Sequence, residues 1–480
     1  AFCHPLVQEV TYRTQLEAHR RAVHARLATI LESRHPEVAE QPNEIALRIA
    51  DHWQRGGEWA NAGRWNLIAT RWALTQNIGL TQDQFQRALA NYDRAPDNPE
   101  VLRARIATRA GVIRLAQFTT ISESETDRAY NEARAMAEAC GEVACEAELL
   151  ISYGSELLHR GQVDAAFHIH EEAIQLCMDA GMAPLINRFR LAVLQTFNAA
   201  GHVRRIVEIL DIAGSDWSRR PVDEENYMSR GFYGLTLAWL GRLQEASAHL
   251  HEALDYAQKH GKAASWMYVG LVDLASFTGE LSTALPQAMH GMEQAEKFGS
   301  AFFRAFALRG YGLALSLNRR YSEAREVLNE ALPLVSKGAN AYQFEASVLA
   351  MLAAAELGCG NVERAEALAR SARDSAVTVG AKTWEIVAWL VWLRLPVSPA
   401  RRAEAQAGLA QMEALIDLTG AEGYRPWLHV AHAHWAEHAH AREKAGRLAA
   451  ASLNEIGADG YAKSLAEHRA RRSATVSESV

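Results

Sequence analysis

The chain has 480 residues, 49% hydrophobic and 22% charged, an ordinary globular composition that excludes bulk disorder. Fifty Lys and Arg against 57 Asp and Glu leave a net charge of −7, which excludes a generally basic surface of the kind nucleic acid needs. Only 12 prolines occur among abundant Ala, Leu, Glu and Arg, all strong helix formers, so the composition leans all-α.

The chain opens on Ala1, and residues 1–10 carry neither the basic start nor the apolar core of a signal peptide. The expectation is a chain that begins inside a longer protein. Further on, Gly57, Ala62 and Ala69 stand in the stretch HWQRGGEWANAGRWNLIATRWAL at a spacing that recurs later. Residues 127–139 read as a helix, after a loop carrying Ser122, Ser124 and Thr126.

From there the text repeats. Gly161, Gly201, Gly241, Gly279, Arg319 and Gly360 stand 40, 40, 38, 40 and 41 residues apart. Two residues after each anchor comes Val163, Val203, Leu243, Leu281, Tyr321 or Val362. Five after comes Ala166, Ile206, Ala246, Ala284, Ala324 or Ala365, and twelve after comes Ala173, Ala213, Ala253, Gly291, Ala331 or Ala372. Those offsets fall on one face of a helix, and small residues there let a neighbouring helix approach closely. A column seven residues before the anchor, Gly154, Leu194, Gly234, Val272, Gly312 and Ala353, belongs to a preceding helix. The anchor is then the turn between helix A and helix B, where a left-handed residue ends the first helix. Gly181, Gly261, Gly299, Gly338 and Gly380 end most B helices. Residues 427–437 and 447–456 read as a degenerate closing pair, and the tail RARRSATVSESV as polar and disordered.

These columns resemble the tetratricopeptide repeat (TPR), in which a small residue of helix A precedes an Ala twelve positions on and another seven beyond. Gly154, Ala166, Ala173 fit, as do Gly234, Ala246, Ala253 and Gly312, Ala324, Ala331. The period of about 40 exceeds the usual 34, and the proline near the repeat end is missing, so the resemblance is to a long-repeat, TPR-like class. It implies an all-α superhelix of stacked helix pairs over 37–465, with no sheet.

A second resemblance lies at the start. Phe2, His4, Leu6, Val7, Gln8, Glu9 and Tyr12, followed by Arg20, Arg21 and His24, are similar to a segment of signal-transduction ATPases. There the segment closes a winged-helix part behind the nucleotide-binding core and leads into helical repeats. Pro5 and Val23 depart from its usual Ala and Leu. Two groups carry it: class III adenylate/guanylate cyclases with an AAA/STAND-type ATPase and a TPR-like tail, and LuxR-type STAND transcription regulators. HPEVAEQPNEIALRIADHWQRGGEWANAGRWNLIA looks most like the cyclase group. The resemblance implies that 1–36 is the remnant of a winged-helix linker, 37–465 the repeat domain and 466–480 a tail. It also implies a sensor or protein-interaction module regulating an upstream ATPase-cyclase. The alternatives are the same module in a LuxR-type regulator, or a free-standing TPR scaffold.

Chemical motifs fail one by one. Gly261-Lys262 is followed by Ala263, with Tyr256 where a phosphate loop needs glycine. Gly358-Cys359-Gly360 lacks the third glycine of a dinucleotide fingerprint and falls at a helix turn. His170-Glu171 and His251-Glu252 lack a zincin's second His, and no GxSxG elbow occurs. The expectation is no catalysis and no cofactor in this chain, with ATP and a divalent metal confined to upstream domains. Cys3, Cys140, Cys145, Cys177 and Cys359 form no CxxC pair, which points away from a disulfide framework and toward a reducing cytoplasm. The longest dense apolar run, 386–393, is far below the roughly 20 residues of a membrane span.

Three groups invite a site reading. His429, His432, His434, His438 and His440 include an i, i+4 pair that suits a metal, although no partner segment is apparent and an exposed His-rich face is the plainer reading. Trp53, Trp59, Trp65 and Trp72, and later Trp384, Trp389 and Trp392, suit either ligand anchoring or repeat-to-repeat core. TPR-like repeats line their concave groove with A helices. That projection turns His159, Arg188, Gln195, Asn198, Trp239, Trp266, Asp273, Phe277 and Arg309 inward. Such a mixture of aromatic and polar groups suits a peptide or small-molecule groove, or, for Trp239, Trp266 and Phe277, packing between A helices. The partners expected are the upstream domains and an unidentified protein or small-molecule ligand, with no nucleic acid and no membrane.

Overall fold

A computed structural model describes residues 12, 14–116, 119, 121–212, 219–298, 301–339 and 341–463. Residues 1–11 of the N-terminal segment (Cys3 among them), Ala213 and Gly299 of the repeat columns, and the tail 466–480 lie outside these. Every regular element among the described residues is a helix. Contacts divide the chain into two compact units, Ala1–Glu156 with Gln175–Cys177, and Leu157–Ile174 with Met178–Val480.

The helices run in chain order. They begin α1 (Glu17–Arg34), α2 (Glu44–Gly56), α3 (Trp59–Gln76), α4 (Ile78–Arg94), α5 (Pro99–Ala116), α6 (Glu123–Cys140), α7 (Val143–His159) and α8 (Val163–Asp179). Then come α9 (Ile186–Ala200), α10 (Val203–Ile212), α11 (Tyr227–Trp239), α12 (Leu243–Lys259), α13 (Ser265–Thr278), α14 (Ala284–Phe298) and α15 (Ala301–Leu317). The remainder are α16 (Tyr321–Val335), α17 (Glu345–Gly358), α18 (Val362–Val379), α19 (Lys382–Trp392), α20 (Arg402–Thr419), α21 (Arg425–Trp435) and α22 (Ala439–Glu455).

In the first unit, α1 to α6 pack each against the next. Asparagines satisfy the orphan amides at their starts: Asn43 accepts from Ile45 N at 2.9 Å and Asn77 from Leu80 N at 2.7 Å. Residues 122–126 are not a loop. Ser122 and Glu125 form a reciprocal capping box, so α6 begins at Glu123 and Ser124 and Thr126 are helical. The early tryptophans divide by depth. Trp53 and Trp65 are buried and both indoles donate to Glu32, Trp53 at 2.6 Å, which ties the polar edge of the rings while their faces fill the core.

The second unit shows why the sequence repeats. Gly161, Gly201, Gly241, Gly279 and Gly360 all adopt positive φ, between 76° and 87°, at the A-to-B turn. Ala166, Ile206, Ala246, Ala284, Ala324 and Ala365 are all 0% exposed. Where the column seven before the anchor is Gly234 or Gly312, helix B presses on it. A Cβ on Gly234 would lie 2.8 Å from Leu250 Cγ, and one on Gly312 would lie 2.4 Å from Leu328 Cγ. The closing pair is longer than expected, since α22 starts at Ala439 and packs along α21.

The windings of this unit touch. Gln343 Nε2 lies 3.0 Å from His159 Nδ1, across 184 residues. Thr383 Oγ1 donates to the Asn198 carbonyl at 3.3 Å, across 185 residues. The A-to-B turn of one repeat therefore rests on the start of an A helix four to five repeats later. A Cβ on Gly201 would lie 2.8 Å from Lys382 Cβ, and one on Gly279 would lie 2.7 Å from Tyr461 N. Gly161, Gly201, Gly241 and Gly279 thus serve twice, for backbone conformation and for close approach between windings.

Candidate functional site

The tight winding turns the expected open groove into cavities in the second unit, two of which take up most of the inward-facing set. The narrower, about 50 Å³, is lined by His159, Gln195, Asn198, Trp239, Trp266 and Arg309 of the sequence-derived set, together with Gln343, Phe344 and Trp384. The wider, about 540 Å³, is lined by Trp239, Asp273 and Phe277 of that set. Arg188 is exposed near the start of α9 and lines neither.

Burial sorts these residues. His159, Asn198, Trp239, Asp273, Phe277 and Arg309 are buried, while Gln195 and Trp266 are half-buried. Trp239 meets Trp384 edge-on at 5.6 Å, and Phe277 meets Tyr424 at 5.0 Å, so both rings pack between windings. Trp266 sits 3.8 Å from Phe306 and 4.7 Å from Phe232 in an aromatic cluster. Arg309 and Asp273 form a buried two-bond ion pair, at 3.1 and 2.7 Å. The guanidinium also lies over Phe306 at 5.1 Å and Trp384 at 5.5 Å.

His159 is the titrating member. Gln343 Nε2 donates to its Nδ1, Phe302 stands edge-on at 4.9 Å, and burial pushes its pKa down to about 4. The folded chain keeps this imidazole neutral to about pH 4, whereas an unfolded one protonates near 6.5. The resulting stability is complete above about pH 6.5 and falls by about 3 kcal/mol as pH drops from there to 4. His202, His249, His429 and His432, all lowered chiefly by burial, act in the same direction. Urea titrations at pH 7 and pH 4.5 should show a smaller loss for His159→Asn than for the parent. Equal losses would mean that His159 is hydrated.

The wider cavity is built almost entirely from A helices. Trp239 of α11, Ser276 of α13, Leu313 of α15, Met351 of α17, Val387 of α19 and Trp427 of α21 all reach it, as does Tyr461. Sequence projection stopped at Arg309 and missed the later windings: Gln343, Trp384, Tyr424 and Tyr461. It also missed Arg319 and Arg394. Arg319 carried a signal, because it replaces glycine in the anchor column and is the one non-glycine with positive φ among the described residues, at 60°.

The histidine-rich stretch is divided between α21 and α22. His434 Nε2 donates to the Leu395 carbonyl at 2.9 Å, and His438 occupies the position just before α22 without a side-chain capping bond. Among the described residues no three His, Cys, Asp or Glu side chains come together as a metal site requires. Trp384, Trp389 and Trp392 are buried. No described helix is long and apolar enough to cross a membrane.

No protein-family model matches the sequence, and no curated protein does. Among solved structures, the chain is similar to a Rap protein complexed with competence and sporulation factor, at 13% identity and a TM-score of 0.47, over 85% of this chain and 97% of that one. It is similar to a signal-transduction ATPase with numerous domains and a tetratricopeptide repeat sensor from Pyrococcus horikoshii, at 13% identity and a TM-score of 0.32, over 88% and 74%. Yeast Tom70 is similar at 14% identity and a TM-score of 0.33, over 79% and 99%.

Proposed function

We propose that this chain is a non-catalytic TPR-like sensor, in which a ligand enters the wider cavity of the second unit and biases an upstream signalling ATPase-cyclase. The cavity carries the reading: its volume of about 540 Å³ is that of a small-molecule site, and its wall draws on six successive A helices. An occupant touches all six at once. Binding energy that differs between two arrangements of these helices shifts the balance between them, which is what a sensor needs. The ATPase-cyclase assignment rests on the N-terminal segment ending in Tyr12, Arg20, Arg21 and His24. On this reading ATP and a divalent metal act upstream, in the cytoplasm, and this chain supplies the ligand site.

The test uses the natural full-length polypeptide. Ala354 of α17 lines the cavity, and Ala354→Trp fills it. Cyclic-nucleotide production from ATP and from GTP should differ from the parent's by about fivefold or more, the usual size of an allosteric coupling. Helical circular dichroism and the melting midpoint should stay close to the parent's. Unchanged production, or none from either nucleotide in the parent, would sink the reading.

A further inference from the structure

The wider cavity is apolar along its walls and unbalanced in charge at its edge. Asp273 is the one carboxylate among its described lining residues, and both its oxygens are taken by Arg309. Two other guanidiniums line the cavity, those of Arg319 and Arg394. Both residues are exposed, and among the described residues neither side chain makes an ion pair or a hydrogen bond. Ser316, one helical turn before Arg319, also lines the cavity, and its hydroxyl is buried without a partner among the described residues. Two guanidiniums without a carboxylate partner therefore border one largely apolar space.

Arg319 stands there at a cost. Its φ of 60° is the left-handed region that a side chain disfavours, and the five other anchors in its column are glycines. Residues in such conformations persist where the site makes use of them, and a guanidinium is the group that recognises a planar anion with two bonds. Leu313, Met351, Val387 and Trp427 also line the cavity and take an apolar body.

We infer that this cavity binds a small amphipathic carboxylate, with its apolar chain among the A helices and its carboxylate on Arg319 and Arg394. The inference rests on the reading of the cavity as the ligand site and adds the ligand's chemical class. Pairing the two arginines with an anion replaces water at their exposed heads, while the chain gains burial along the walls.

Dodecanoate is the probe, with 1-dodecanol as the same chain without charge and acetate as the head alone. Trp239, Trp384 and Trp427 line the cavity, so tryptophan fluorescence follows binding. Dodecanoate should bind saturably, one per chain, with dodecanol about tenfold weaker or worse and acetate not measurable. Arg319→Gly and Arg394→Gln should each weaken dodecanoate about tenfold and leave dodecanol unchanged. Arg319→Gly should also raise the melting midpoint, because it restores the glycine that the backbone favours, so lost affinity cannot be lost folding. Equal binding of acid and alcohol, unchanged binding by Arg319→Gly, or no saturable binding would overturn the ligand class. Failure of dodecanoate in a protein whose nucleotide output still responds to Ala354→Trp overturns the class alone. Arginine-dependent binding with an indifferent output supports the class and overturns the sensing role.

Discussion

Arg309→Met is expected to destabilise the second unit by about 3–5 kcal/mol. The Arg309 side chain is 1% exposed and that of Asp273 is 9% exposed, so little water reaches either charge. Removing one partner leaves the other charged, buried and unpaired, and it is that penalty, rather than the attraction itself, that sets the size of the loss. Met fills much of the space of the arginine stem, which keeps the cavity contribution small. Asp273→Leu alone should cost a similar amount for the same reason. The double variant should recover most of the loss, because an apolar pair of similar volume carries no desolvation penalty. Urea denaturation of the four proteins completes the cycle. Single losses below about 1 kcal/mol would show that the pair is solvated, as exposed pairs are.

The same pair limits how binding can be probed. Asp273 and Arg309 stand in the inward-facing set that helical projection gives, and their replacement by Ala would damage folding before any ligand was tested. Arg319, Arg394 and Ala354 are better placed, since they line the cavity without holding the windings together.

The repeat was legible in the sequence because it is a local matter. A turn glycine, an Ala five residues on and a small residue seven before answer to the geometry of one helix pair, and each repeat writes them again. Gly234 against Leu250 and Gly312 against Leu328 are that geometry in atoms. The winding was not legible in the same way. It accumulates from small rotations between neighbouring repeats, and no single column records their sum. His159 meeting Gln343, or Trp239 meeting Trp384, requires residues 184 and 145 positions apart to be placed by that sum. An open groove was therefore the natural expectation, and cavities between touching windings are what the accumulated rotation makes of it. Arg319 is the partial exception. Its departure from the glycine column was visible as text, but its meaning came only with the cavity beside it. The helix starts differ for a smaller reason: periodicity marks where an apolar face begins, whereas the Ser122 capping box starts α6 before that face does.

If the anchor glycines hold windings as well as turns, two of them should respond differently to the same substitution. Gly279 and Gly360 have nearly the same backbone, φ 81° and 87°. Each Ala variant pays about 1 kcal/mol for placing a Cβ in the left-handed region. Around Gly360 nothing lies within 4 Å of that Cβ, so Gly360→Ala should stop there. At Gly279 the Cβ would fall 2.7 Å from Tyr461 N, and a Cβ on the facing Gly460 would fall 2.6 Å from the Gly279 carbonyl carbon. The Tyr461 ring also crowds the Gly279 Cβ at 2.9 Å, but turning the ring aside leaves the clash with the backbone nitrogen in place. Tyr461 N–H is itself held by the Ala458 carbonyl at 3.1 Å, so the overlying turn moves only by breaking its own bond. Overpacking of this kind adds about 1–3 kcal/mol, bringing Gly279→Ala to roughly 3 kcal/mol in all. In a stacked array part of that loss can appear as local opening of the last winding rather than as global unfolding. Hydrogen exchange is therefore the measurement of choice. Gly279→Ala should speed exchange at Tyr461 and Ala462 and along α22, while Gly360→Ala leaves those amides as they were. Equal exchange in the two variants would mean that the windings do not rest on these glycines, and that the column is about turns alone.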